Sequence, residues 1–177
     1  HNSYTRYDVE ANGIVFNNGN SDQLARQSQL AGQVAANLNL RNEATVILNE
    51  VVNTNRNTLL EGFTEVVGGQ ADVIVANPNG ITCSGCGFIN TNHATLTTGT
   101  ANISDGSLTG FTVNRGDISI DGNGADASRQ EIFDLVARSV TVDGNINVNG
   151  ELGIFTGHNT WDYANREATS TNTSADP

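Results

Sequence analysis

The chain has 177 residues, a net charge of −11 and a sequence pI of about 4.4. Asparagine contributes 25 residues, threonine 19 and lysine none, while charged residues make up only 15%. Such a composition excludes a coiled coil or helix bundle, the acidity argues against nucleic acid or an anionic membrane surface as partner, and no apolar run approaches the ~20 residues of a membrane span.

In chain order, residues 1–60 carry little periodicity and read as a cap with first coils. Ser21 is a candidate cap for a short helical turn through Gln23-Leu24-Ala25-Arg26. From Val73-Ile74-Val75-Ala76 onward, short runs alternate with period two. They include Phe111-Thr112-Val113, Ile118-Ser119-Ile120, Val140-Thr141-Val142, Ile146-Asn147-Val148 and Leu152-Gly153-Ile154-Phe155. Alternation with β-branched residues predicts strands. Asn-Gly and Asp-Gly pairs at 79–80, 105–106, 121–122, 143–144 and 149–150 supply the turns. Residues 129–138 fit a buried strand as well as a short helix. Residues 166–177 are apolar-poor and read as a flexible tail or linker.

An internal repeat organises these strands. The segment from Phe111 to Gly122 matches Val140 to Gly150, with an offset of 29 residues before Arg115 and 28 after it. Repeats of this size, built of short strands and Asn/Gly corners, predict a β-solenoid whose coils bury their inner faces only by stacking. A β-sandwich with two similar hairpins is the alternative. In the solenoid, the asparagines are expected at left-handed corner positions, their amides bonding to one another between coils.

Chemistry is sparse. There is no G-x-S-x-G nucleophile elbow and no phosphate-binding glycine loop. Asp121, Asn123 and Asp126 superficially match the start of a calcium loop but lack its later ligands. Carboxylates are spread singly, so no acid/base pair for glycoside chemistry is visible. The sequons at Asn102 and Asn172 are accounted for by composition. Cys83 and Cys86 form one C-x-x-C, compatible with a disulfide, free thiols, or metal or redox chemistry. A Cys83–His93 dyad lacks an orienting third group.

A set of motifs is more specific. They are Asn2-Ser3-Tyr4, Gly13-Ile14-Val15-Phe16-Asn17-Asn18, Leu30-Ala31-Gly32, Ile47-Leu48-Asn49-Glu50-Val51, and the run from Ala76-Asn77-Pro78-Asn79-Gly80-Ile81 through Thr82-Cys83-Ser84-Gly85-Cys86 to Thr91. Gly110-Phe111-Thr112-Val113 and Leu135-Val136-Ala137-Arg138-Ser139 complete it. Together they resemble the N-terminal secretion (TPS) domain of two-partner secretion exoproteins of the TpsA type. That family includes filamentous haemagglutinins, Serratia- and Proteus-type haemolysins and contact-dependent growth-inhibition (CdiA) toxins. The family's second signature, Asn-Pro-Asn-Leu, stands here as Asn37-Leu38-Asn39-Leu40, without its proline. The cysteine pair fits the haemolysin and growth-inhibition branches and is a candidate disulfide. The chain starts at His1 without a signal peptide, where the family carries a further apolar segment, so a piece of a longer chain is expected.

The resemblance implies an all-β, right-handed parallel β-helix with an N-terminal cap and short antiparallel extra-helical strands. It implies a secretion domain over residues 1–165, with coils over 61–165. It implies a non-enzymatic, monomeric secretion signal without metal or cofactor. The POTRA domains of an outer-membrane TpsB transporter would recognise it in the periplasm of a Gram-negative cell. Export to the cell surface or medium would follow, with β-helix folding nucleated by this domain. Asn77, Pro78, Asn79, Gly80 and Ile81, with Asn37, Asn39, Leu40 and Asn49, are the candidate recognition or turn residues. A solenoid adhesin binding host glycan or protein is the alternative.

Overall fold

Short strands with inward apolar residues, separated by Asn/Gly corners, bury their inner sides by winding and stacking. A computed structural model describes residues 1–20, 26–37, 40 and 42–171. Among these residues there is no helix. Of the expected helical turn from Ser21 to Arg26, residues 21–25 lie outside them, and Arg26 begins a strand instead.

Three parallel sheets form the three faces of a β-helix. Face A stacks β1 (Asn2–Tyr4), β5 (Val46–Val51), β8 (Asp72–Ala76), β11 (His93–Thr97), β16 (Ile132–Ala137) and β19 (Glu151–Thr156). Face B stacks β6 (Thr58–Leu60), β9 (Ile81–Cys83), β14 (Asp117–Ile120) and β17 (Ser139–Val142). Face C stacks β2 (Ile14–Asn18), β7 (Phe63–Gly68), β10 (Cys86–Ile89), β15 (Ala125–Ala127) and β18 (Ile146–Val148). The chain visits A, B and C in turn. The first coil is already present in residues 2–18, its B position being a parallel bridge from Val9 to Leu60.

Like residues stack in columns. Ile47, Val73, Ala94, Phe133 and Leu152 form one on face A. Leu60, Cys83, Ile120 and Val142 form one on face B. Except for Leu152 and Val142 on the last coil, these inward positions make one continuous core.

Two excursions leave the coils. A hairpin of β3 (Arg26–Ser28) and β4 (Gly32–Val34) is held against face C by Glu65, and β12 (Thr100–Ser104), β13 (Ser107–Val113), β20 (Asn159–Asp162) and β21 (Glu167–Ser170) form an antiparallel sheet. That sheet covers the outer side of face A, where Phe111, Val113 and Trp161 pack on Leu48, Ile74 and Val136.

Three expectations change. The repeat has the wrong register: Ile118-Ser119-Ile120 stacks under Val140-Thr141-Val142, a step of 22 residues, and Ala125 stacks under Ile146, a step of 21. Phe111-Thr112-Val113 belongs to the excursion β13, whose alternation of residues is indistinguishable by eye from that of a coil strand. The corner amides bond mostly to backbone, not to one another. Asn90 Nδ2 donates to the Val66 and Gly68 carbonyls at 2.8 and 3.0 Å, and Gln130 Nε2 to those of Phe88 and Thr91, both at 3.0 Å. A backbone carbonyl is present on every coil, whereas a partner amide is not. Asn53 and Asn90 do adopt the left-handed conformation. Finally, Glu167–Ser170 is a paired strand, so the segment read as a tail begins ordered, and residues 132–137 settle as strand.

Candidate functional site

The Asn77-Pro78-Asn79-Gly80 motif forms the corner between β8 on face A and β9 on face B. Proline presets the second turn position, and the Gly80 N–H closes the turn on the Asn77 carbonyl at 3.1 Å. Gly80 has φ +130°, and a Cβ there would meet the Asp117 carbonyl oxygen at 3.2 Å.

Asn77 is fully buried. Its Nδ2 donates to the Arg56 carbonyl at 2.9 Å and to Thr58 Oγ1 at 3.0 Å, both on the preceding coil. Its Oδ1 accepts the Asn79 N–H at 2.9 Å, and its own N–H donates to the Thr97 carbonyl of the following coil at 2.9 Å. Asn79 Nδ2 reaches the Thr54 carbonyl at 2.8 Å. The corner therefore fastens three successive coils. Pro78 and Asn79 are half-buried at its outside, and Ile81 points into the core.

At the second motif, the Leu40 N–H donates to the Asn37 carbonyl at 3.1 Å. The Asn37 N–H donates to the Gly19 carbonyl at 2.7 Å, tying the segment to the end of β2. Asn39 lies outside the described residues. Asn49 is separate from both motifs: it faces the core of face A, where its Oδ1 accepts Asn2 Nδ2 at 3.1 Å and its Nδ2 has no partner.

Cys83 and Cys86 are bonded to each other, with Cα atoms 5.4 Å apart, and both are buried. This removes the thiol from the Cys83–His93 pairing considered above. His93 lies on the outer side of face A, away from the disulfide. Asp121, Asn123 and Asp126 serve turns: Asp121 Oδ1 accepts the Asn123 N–H at 2.9 Å, and Asp126 Oδ1 accepts the Ser128 N–H at 3.0 Å. Among the described residues, no three acids, histidines or cysteines gather as metal ligands do.

Sequence reasoning missed a buried polar cluster beneath the antiparallel sheet. Asp134 accepts His93 Nε2 at 2.7 Å and Arg166 Nε and Nη2 at 2.8 and 2.6 Å. Burial pushes the Asp134 pKa up, but the hydrogen bonds and charges of Arg166 and His93 outweigh it and hold the carboxyl below its ordinary value. Tyr163 stacks on His93 with ring centroids 5.2 Å apart and donates to Asp72 at 3.2 Å. These residues lie on three coils and one excursion. Spacing along the chain carries no signal for them.

The family model for the TPS secretion domain matches residues 1–177. The chain is 50% identical over 166 residues to a Toxin CdiA of Yersinia pestis, an overlap covering 93% of this chain and 5% of that protein. It is 47% identical over 146 residues to a tRNA nuclease CdiA of Escherichia coli O6:K15:H31, covering 81% of this chain and 4% of that protein. To the filamentous hemagglutinin of Bordetella pertussis it is 36% identical over 174 residues, 96% of this chain and 5% of that protein. The crystal structure of a filamentous hemagglutinin secretion domain superimposes with a TM-score of 0.90 at 34% identity, covering 98% of this chain and 59% of that one. The chain thus spans about one-twentieth of these curated relatives, and the nuclease named in one of them is a property of that whole protein. With the family model matched over residues 1–177 and the fold superimposed over 98% of its length, the chain belongs to the TPS secretion domain family of two-partner secretion exoproteins.

Proposed function

We propose that this chain is the secretion signal of a large Gram-negative exoprotein. In this reading a monomer is recognised in the periplasm by POTRA domains of a TpsB outer-membrane transporter, and commits the longer protein to export. It does so without catalysis or cofactor, and its last coil templates the β-helix that follows.

The observation that carries this reading is the state of the C-terminal end of the helix. Leu152 and Ile154 continue core columns of face A, and Val142 continues one of face B, yet they are 37, 47 and 43% exposed. Among the described residues these columns run out on β17 and β19, an arrangement that a stacked coil would extend. The 4–5% coverage of its relatives supports a long chain to be templated. The motif corner serves recognition indirectly, by fixing the coils, because Asn77 offers no surface to a partner.

The test is binding of the purified domain to the periplasmic region of the cognate transporter, together with export of a longer chain carrying it. Binding and domain-dependent export are expected. Failure of the domain to bind, or export of a chain lacking it, overturns the reading.

A further inference from the structure

Among the described residues the extra-helical strands cover faces A and C, and none of them covers face B. From the second coil onward its central row, Leu59, Thr82, Ser119 and Thr141, is uncharged and points outward, while the first coil sets Asp8 beside Leu59. Its two borders are charged with opposite sign. Arg6, Arg56, Arg115 and Arg138 stand at the corner where the chain enters face B, and all four are exposed. They are four of the six arginines whose side chains are described. The other two are engaged elsewhere, Arg129 over the Phe63 ring on face C and Arg166 on Asp134.

At the corner where the chain leaves face B stand Glu10, Glu61, Asp121 and Asp143. The backbone stacks three of them: Glu61 N–H on the Val9 carbonyl at 2.7 Å, Asp121 on Cys83 at 3.0 Å and Asp143 on Ile120 at 2.8 Å. The coil between, carrying the Asn77 motif, is neutral at both borders, with Asn79 on one side and Ser84 on the other. Asp117 stands within the arginine border, bonded to the Ser139 hydroxyl, and Asp8 pairs with Arg6 at 2.9 Å, so that border carries two carboxylates among its four arginines and stays net positive.

The five residue steps from Arg138 to Asp143 separate the two rows by about 16 Å at 3.3 Å per residue. The Debye length at physiological salt is about 8 Å, so the rows do not neutralise each other and act as distinct patches. A chain of net charge −11 has thus gathered most of its described arginines opposite a carboxylate row, on face B.

We propose that face B is a polarised docking face for a protein surface carrying the complementary pair of rows, acidic facing the arginines and basic facing the carboxylates. The proposal rests on the secretion reading, under which that surface belongs to the transporter's periplasmic region. Opposed rows fix orientation as well as attraction, because docking turned by half a revolution brings like charges together.

Three double variants test it, each checked by circular dichroism for an unchanged fold and assayed for binding to the cognate periplasmic region. Arg56→Glu/Arg138→Glu and Glu61→Lys/Asp143→Lys are each expected to weaken binding by about tenfold at low salt. Glu131→Lys/Glu167→Lys, off this face, is expected to leave binding within about twofold of wild type. Wild-type binding unaffected by both face-B pairs overturns this proposal alone. Tighter binding by the arginine variant with weaker binding by the carboxylate variant shows a uniformly basic partner and also overturns it. Absence of wild-type binding overturns the secretion reading and this proposal with it.

Discussion

Asp134 and Arg166 close a clasp between the helix and its extra-helical sheet. Asp134 is fully buried on β16, and Arg166 reaches it with two nitrogens from the turn joining β20 to β21, at φ +53°. Arg166 also meets Glu151 of the last face-A strand at 3.0 Å. One guanidinium thus ties the returning hairpin to the final two strands of face A. Gly153 makes room for it, since a Cβ there would lie 2.2 Å from Asp134 Oδ1.

Breaking this clasp from one side should be costly. Arg166→Met leaves the buried carboxylate with His93 alone, and unfolding in urea should show a loss of about 3 kcal/mol, in the range for half of a buried ion pair. Gly153→Ala should lose stability by the same route, through displacement of Asp134. A midpoint unchanged in both variants would show that the clasp contributes nothing to stability.

The same carboxylate sets an acid limit. Its folded-state pKa lies below the ordinary 3.8, so its contribution is complete above about pH 5 and is lost as pH falls from there through the depressed value. Asp8, Asp126 and Glu65 are shifted in the same direction and add to the slope. Stability measured from pH 7 to pH 2 should therefore be flat with respect to these groups until about pH 5 and then decline. Asp134→Asn should start lower and decline less steeply.

The strands were legible because inward residues alternate along each of them, whereas the β-helix was expected from a misregistered repeat and from the family resemblance, whose corner motifs are local. Residues 77–80 act together within one turn, so spacing reveals them. The coil period was not legible: an insertion between β11 and β14 places Phe111 outside the helix while keeping a coil-like pattern. Nor was the clasp, whose members at 72, 93, 134, 163 and 166 meet only after winding. The arginine and carboxylate rows of face B were hidden for the same reason, each coil supplying one member of each row.

Glu65 should decide whether the β3–β4 hairpin stays docked. Its carboxylate accepts Ser28 Oγ at 2.6 Å, the Gln29 N–H at 2.9 Å and the Leu30 N–H at 3.0 Å. Glu65→Ala removes all three acceptor contacts, and hydrogen exchange at residues 26–34 should rise by about fivefold or more while the coils stay protected, as expected for a local opening about 1–3 kcal/mol easier. Equal exchange in both proteins would show that the hairpin docks by other contacts.

The disulfide closes a short loop, with a sequence separation of 3, so chain entropy assigns it only about 2 kcal/mol. Its sulfurs lie inside the core, where Cys83 fills a column place between Leu60 and Ile120. Reductant should therefore reach it only when coils open. Thiol labelling with reductant should be slow in buffer and rapid in denaturant. Rapid labelling of the native protein would contradict the burial.

Asn77 and Asn79 should differ in consequence although they share a motif. Replacing Asn77 by Ile removes the donor to the Arg56 carbonyl and Thr58 Oγ1 and the acceptor of the Asn79 N–H, all around a fully buried side chain. Each group left unpaired costs about 1–3 kcal/mol, so the loss approaches the whole stability of a small domain. Asn79 is half-buried, and water can replace its contacts with the Thr54 and Arg56 carbonyls, so Asn79→Ala should cost about 1 kcal/mol. Circular dichroism and export measured on the same variants then give one ordering: Asn77→Ile loses both fold and export, and Asn79→Ala keeps its fold and most of its export. Export lost by an Asn77→Ile variant that retains the native spectrum and midpoint would instead place a partner contact at the corner.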